Sequence, residues 1–125
     1  MKLIGIVNAH NIVDGFAEKE NIGAHLAYVM TKFVIATQGD ADFYAKKMRE
    51  LFIKYGEEKE EGRMEIKPEN IKEFQAEIET LQNTEADDPG IRFSLSEMSR
   101  ELKLSMKQIY PLMDFITDDE NKDEE

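Results

Sequence analysis

Between Ile22 and Tyr55 the apolar side chains Ile22, Leu26, Met30, Phe33, Tyr44, Met48, Leu51 and Tyr55 fall at steps of three, four and their sums. That is the spacing of one stripe on an α-helix. Gly56 follows and stops it. An unbroken helix over 22–55 has 34 residues and is roughly 51 Å long. Such a rod is longer than a compact domain of 125 residues needs, so it must either find cover along its length or break. Thr37-Gln38-Gly39-Asp40 interrupts the stripe with poor helix-interior residues, and a kink there is the open alternative.

A partner for the stripe lies downstream. Pro68 suits a first helical position, and Ile71, Phe74, Ile78 and Leu81 follow at steps of three, four and three. This narrow seam must pack on something, most simply the long helix running back antiparallel. Residues 57–67 between them read as a charged connector around Gly62. Asp87-Asp88-Pro89-Gly90 is a turn, and Ile91, Phe93 and Leu95 alternate with polar residues in a short extended segment. Ser94 with Glu97, and Ser105 with Gln108, have capping-box spacing and predict short helices near 95–103 and 106–116. Residues 2–19 favour a helix with an extended start. The expected fold is all-α or mainly α: a long helix paired with a second as an antiparallel hairpin, plus short N- and C-terminal elements. One domain is expected over 1–116, and 117–125, which has no apolar side chain to bury, is expected to be a disordered acidic tail.

The net charge of −11 is unevenly placed. Residues 57–88 hold 12 acidic and 4 basic side chains, and no segment has the basic face that binding to a phosphate backbone requires. Nucleic acid and anionic membrane are therefore disfavoured as partners. The chain has no cysteine, which excludes thiolate chemistry. It also shows no membrane-length apolar run and no signal-peptide pattern at the N-terminus, so a cytoplasmic location is expected.

Glu57, Glu58 and Glu61, followed by Glu85 and Asp88, have the EExxE…ExxD spacing of the magnesium motif in all-α nucleoside triphosphate pyrophosphatases. Carboxylates at i, i+3 and i+4 share a metal only on a rigid helix face, and here glycines flank the first cluster while Pro89-Gly90 ends the second. No enzyme activity, metal or cofactor is expected from them. His10 and His25 lack a ligand or triad pattern and read as surface or helix-interface residues.

Residues 94–116 are similar to a helix-turn-helix. Met98, Leu102, Leu104, Ile109 and Met113 would form its core, with Met106, Lys107, Gln108 and Tyr110 at the reading face. Pro111 falls inside the recognition helix, which favours a pair of short structural helices instead. The apolar helix faces leave Phe33, Tyr44, Phe52, Ile71 and Phe74 to be divided between core and contact surface.

The order of features also resembles a known group. Its carriers are Ile22-Gly23-Ala24-His25-Leu26-Ala27-Tyr28, the run Leu51-Phe52-Ile53-Lys54-Tyr55-Gly56-Glu57, Ile66-Lys67-Pro68-Glu69-Asn70 with Glu73-Phe74, Leu81-Gln82-Asn83-Thr84-Glu85, and Leu104-Ser105-Met106-Lys107-Gln108-Ile109-Tyr110-Pro111-Leu112-Met113. Over residues 3–116 this pattern is similar to small acidic helical proteins encoded by phages and prophages of Gram-positive bacteria. The resemblance implies a viral origin and assigns no activity. The function expected is that of a non-enzymatic interaction or assembly accessory protein that binds itself or another phage protein, in the host cytoplasm or with the virion. The alternatives are a DNA-binding regulator using 94–116 and an acidic phosphate mimic that inhibits a host nucleic-acid-binding protein.

Overall fold

The computed structural model describes residues 1–117. The long stripe forms α2, Ala24–Tyr55, 32 residues with no break at Gly39, a rod of about 48 Å. Its doubtful stretch is satisfied locally. The Thr37 hydroxyl donates to the Phe33 carbonyl at 2.7 Å, and Gln38 Nε2 donates to Asp42 Oδ1 one turn on at 3.0 Å. Gly39 weakens the helix by about 1 kcal/mol relative to alanine, which is too little to break a rod held at both ends. The helix ends at Gly56, which turns to extended backbone at a place where a Cβ would press on the Phe52 carbonyl oxygen.

α2 is covered differently along its two halves. Leu26, Met30, Phe33 and Thr37 are buried in the first; from there to Tyr55 no side chain is. The cover of the first half comes chiefly from α1, Leu3–Asp14, whose Leu3, Ile6, Val7, His10 and Val13 recur at helical spacing and are buried. The sequence reading gave that role to the downstream helix. Residue 2 is extended, as expected for the start of this element, and pairs with Glu85 in an isolated antiparallel bridge, while the Leu3 N–H donates to the Thr84 carbonyl at 2.8 Å.

The C-terminal elements close the core. β3, Phe93–Ser94, pairs in parallel with β4, Ile116–Thr117. Between them lie α4, Leu95–Glu101, and α5, Met106–Ile109, each started by its predicted cap: Ser94 Oγ accepts from the Glu97 N–H, and Ser105 and Gln108 form a reciprocal capping box. The predicted helix over 106–116 is cut short. From Tyr110 the chain tightens into a 3₁₀ helix to Phe115 with Pro111 near its start. The core joins Ile6, Ala9, Val13, Leu26, Met30, Phe33, Phe93, Met98, Leu102, Leu112 and Phe115. Its centre is aromatic, with the Phe33 ring 5.2 Å from Phe93 and 5.0 Å, edge-on, from Phe115.

The remainder projects as an arm. The segment read as a connector is a small β-hairpin in which β1, Gly56–Glu58, pairs antiparallel with β2, Met64–Ile66. Its turn uses positive φ at Glu61 (66°) and Gly62 (75°), a conformation glycine adopts without strain. A 3₁₀ turn at Pro68–Asn70 leads into α3, Ile71–Gln82. α3 meets the second half of α2: Phe74 packs on Phe52 and Tyr55, with ring centroids 5.2 and 6.2 Å away, and Gln82 Nε2 donates to the Tyr44 hydroxyl at 3.3 Å. The molecule is mainly α. Thr117, assigned from sequence to the tail, lies in β4, and its hydroxyl donates to the Phe93 carbonyl at 3.3 Å. The rest of that predicted tail, 118–125, lies outside the described residues.

Candidate interaction surface

Of the five residues expected to divide between core and contact surface, Phe33 and Phe74 belong to the interior. Phe33 is fully buried at the centre of the aromatic core, and Phe74 is buried between Phe52 and Tyr55. Neither is available to a partner, because each fills the space between two elements. Tyr44 is half-buried with its hydroxyl taken by Gln82. Phe52 and Ile71 are exposed by 38% and 42%. They are joined on the arm by Phe43, Ile53 and Met64, which the sequence reading did not select. Ile53 and Met64 carried a weak signal: Ile53 lies off the stripe on α2, and Met64 lies in the connector.

The arm is held by few strong contacts. Lys54 Nζ approaches Glu77 Oε2 at 3.5 Å, and Asn70 Nδ2 donates to the Tyr55 carbonyl at 3.3 Å. The Glu77 carboxylate beside the Tyr55 hydroxyl raises the phenol above its usual range, while Glu77 itself is lowered. On the Lys54 side, α2 and α3 leave an open groove of about 540 Å³ floored by Leu51 and Leu81. A second cleft of about 320 Å³ lies against the core between Val13, Phe16, Ile22, Met30 and Val34.

The pyrophosphatase-like carboxylates are dispersed into separate pairs. Glu57 and Glu58 are in β1 and Glu61 is in the hairpin turn. Glu57 pairs with Lys59 at 2.6 Å and Glu85 with the Met1 ammonium at 2.7 Å. Asp88 takes Arg92 at 2.6 Å and the Gly90 N–H at 2.8 Å, and the Arg92 hydrogen bond is the chief cause that lowers its carboxyl to about 2. Among the described residues no group of three or more His, Asp or Glu side chains could hold a metal ion.

Both histidines join elements. His10 is buried between α1 and α2 with Nδ1 2.8 Å from Thr37 Oγ1; since the Thr37 hydrogen goes to the Phe33 carbonyl, Nδ1–H is the donor. His25 Nδ1 meets the Glu97 carboxylate at 2.8 Å, and Glu101 accepts the Gly23 N–H at 3.1 Å, so α4 is fastened to the start of α2.

The positions assigned to a helix-turn-helix are placed unevenly, and α5 is only four residues long. Met98 and Leu102 are buried and Leu104 and Ile109 half-buried, but Met113, assigned to its core, is 61% exposed because the 3₁₀ helix turns it outward. Met106, Lys107 and Tyr110 are exposed, as a reading face requires. Gln108 is not free to read a base, since its Oε1 accepts the Ser105 N–H at 2.9 Å. Among the described residues no helix is long and apolar enough to cross a membrane. Family models, curated proteins and solved structures give no match to this chain.

Proposed function

We propose that the protein is a non-enzymatic interaction or accessory factor of a phage or prophage, and that the antiparallel hairpin of α2 and α3 is its working surface. The observation that carries this reading is the uncovered second half of α2. Thr37 is the last buried side chain before Tyr55, yet Phe43, Phe52, Ile53, Met64 and Ile71 stand exposed around the arm. Large apolar side chains left exposed on neighbouring elements favour cover by another protein, and Phe52 with Ile71 is the pair that tests it. The viral assignment rests on the sequence resemblance alone.

The test is a variant carrying Phe52→Ser and Ile71→Ser, compared with the unaltered chain in light scattering and in affinity capture from infected and uninfected cells. Capture of a phage protein should be lost, with the Phe33 core still cooperatively folded. Binding that is intact in this variant and lost in Lys107→Glu would move the function to α5 and to DNA or protein docking there.

A further inference from the structure

α2 carries Phe43, Lys47, Glu50 and Lys54 at steps of four, three and four, the repeat by which one helix presents a continuous seam to another. All four are exposed and form one edge of the groove floored by Leu51 and Leu81. Within one chain their contacts are solvated: Lys54 lies 3.5 Å from Glu77 and 5.0 Å from the Tyr55 ring centroid. Lys47 reaches Glu50 at 3.3 Å and sits 5.7 Å from the Phe43 ring centroid, contacts between solvated groups that contribute little.

The order Phe-Lys-Glu-Lys is complementary to itself when reversed. A two-fold axis placed between Lys47 and Glu50 sets Lys47 against Glu50 of the second copy and Glu50 against its Lys47. The same axis sets Phe43 against Lys54 of the second copy, and Lys54 against its Phe43. Every layer then joins unlike charges, or an aromatic ring with a cationic side chain whose methylene stem can cover it. A parallel alignment would set lysine on lysine and glutamate on glutamate at the same positions. Because α2 is unbroken, the four side chains stay in register along the seam. We infer that a second copy of this chain docks on the groove edge of α2, antiparallel and centred between Lys47 and Glu50. The inference rests on the arm being the working surface and names its partner.

Lys47→Glu and Glu50→Lys, made separately in the full chain, provide the test. Sedimentation at low salt should show a dimer for the unaltered chain and a dimer affinity at least about tenfold weaker for each variant alone. An equal mixture of the two should recover a one-to-one heterodimer, because positions 47 and 50 are then both acidic in one chain and both basic in the other, and unlike charges meet at both ends of the seam. In each variant the two positions within a single helix carry like charges, so recovery cannot come from the contact inside one chain. Circular dichroism should show both variants folded, as both sites are exposed. Variants that dimerise like the unaltered chain, a mixture that stays monomeric, or an unaltered chain that is monomeric throughout would each overturn the inference. Dimers indifferent to both charges but lost in the Phe52→Ser, Ile71→Ser variant would do so while leaving the arm as the working surface.

Discussion

In its first half α2 buries Leu26, Met30, Phe33 and Thr37 beneath α1 and the C-terminal elements; in its second half the same spacing sets Tyr44, Met48 and Leu51 beside α3 and leaves them half-exposed. Both halves carry a stripe of large apolar side chains, but the helix around it holds one charged residue over 24–39 and seven over 40–55. The number of segments that converge on it differs as well: the core gathers residues from both ends of the sequence, whereas the arm is built mainly from neighbours in sequence and tied to the first helix just past the end of α3. A two-helix contact excludes water from one line of side chains, and a core needs cover from several directions. The difference teaches that apolar periodicity measures a helix's capacity for burial and that topology decides how much of it is used.

The contrast can be broken most severely in the core. Phe33→Ala should cost about 3–5 kcal/mol, because the ring bridges Phe93 and Phe115 and no solvent reaches the space left behind. Urea denaturation should show the loss, and a cost near that of an exposed site would remove the distinction between the halves. In the arm, Phe74→Ala should cost less, about 1–3 kcal/mol, since its neighbour Phe52 is already partly wet. Its effect should be local: amide exchange should accelerate over 44–82 and remain slow over 3–37.

The junction itself should respond in the opposite direction. Gly39 lies in continuous helix, and a Cβ added there meets nothing within 4 Å. Gly39→Ala should therefore stabilise by about 0.5–1 kcal/mol, raising the denaturation midpoint. A destabilised variant would mean that the halves are joined by a bend. The smallest effect is expected at Asp88, in the chain returning from the arm to the core. Its carboxyl is lowered to about 2 by Arg92 and the Gly90 N–H, so the pairing is complete above the ordinary aspartate range and disappears as pH falls toward 2. Carbon-13 titration should place its midpoint there, and Arg92→Gln should move it upward; an ordinary midpoint would show that the turn is not fastened.

Local rules made much of the chain legible. Ser94 and Ser105 cap the helices their spacing predicted, Gly56 ends α2, and the stripe ran through Thr37–Asp40 because hydrogen bonds to Phe33 and Asp42 were close at hand. Long-range choices were not legible. Phe33 lies on the stripe and Phe52 off it, but the pattern does not say that Phe33 meets two rings from the far end of the chain while Phe52 meets only Phe74. The strands β1 and β2 are only three residues long, and β1, Gly-Glu-Glu, has no apolar side chain, so the alternation in Met64-Glu65-Ile66 is too short to be recognised as a strand. The candidate surface was half legible for the same reason. Phe52 and Ile71 stand with Phe33 and Phe74 in the expected set, and packing separates them: Phe33 meets rings from the far end of the chain and Phe74 those of the adjoining helix.

The unbroken α2 also constrains how a gene for this protein could change length. Its midpoint, around Gln38 and Gly39, is exposed and touches little, which ordinarily marks a place where residues are gained and dropped freely. Here one inserted residue would turn everything beyond it by about 100° and advance it by about 1.5 Å. α3 could not follow, because its far end is tied back to the first helix through Thr84 and Glu85. The exposed midpoint of the longest helix is thus a place where substitutions pass and insertions do not.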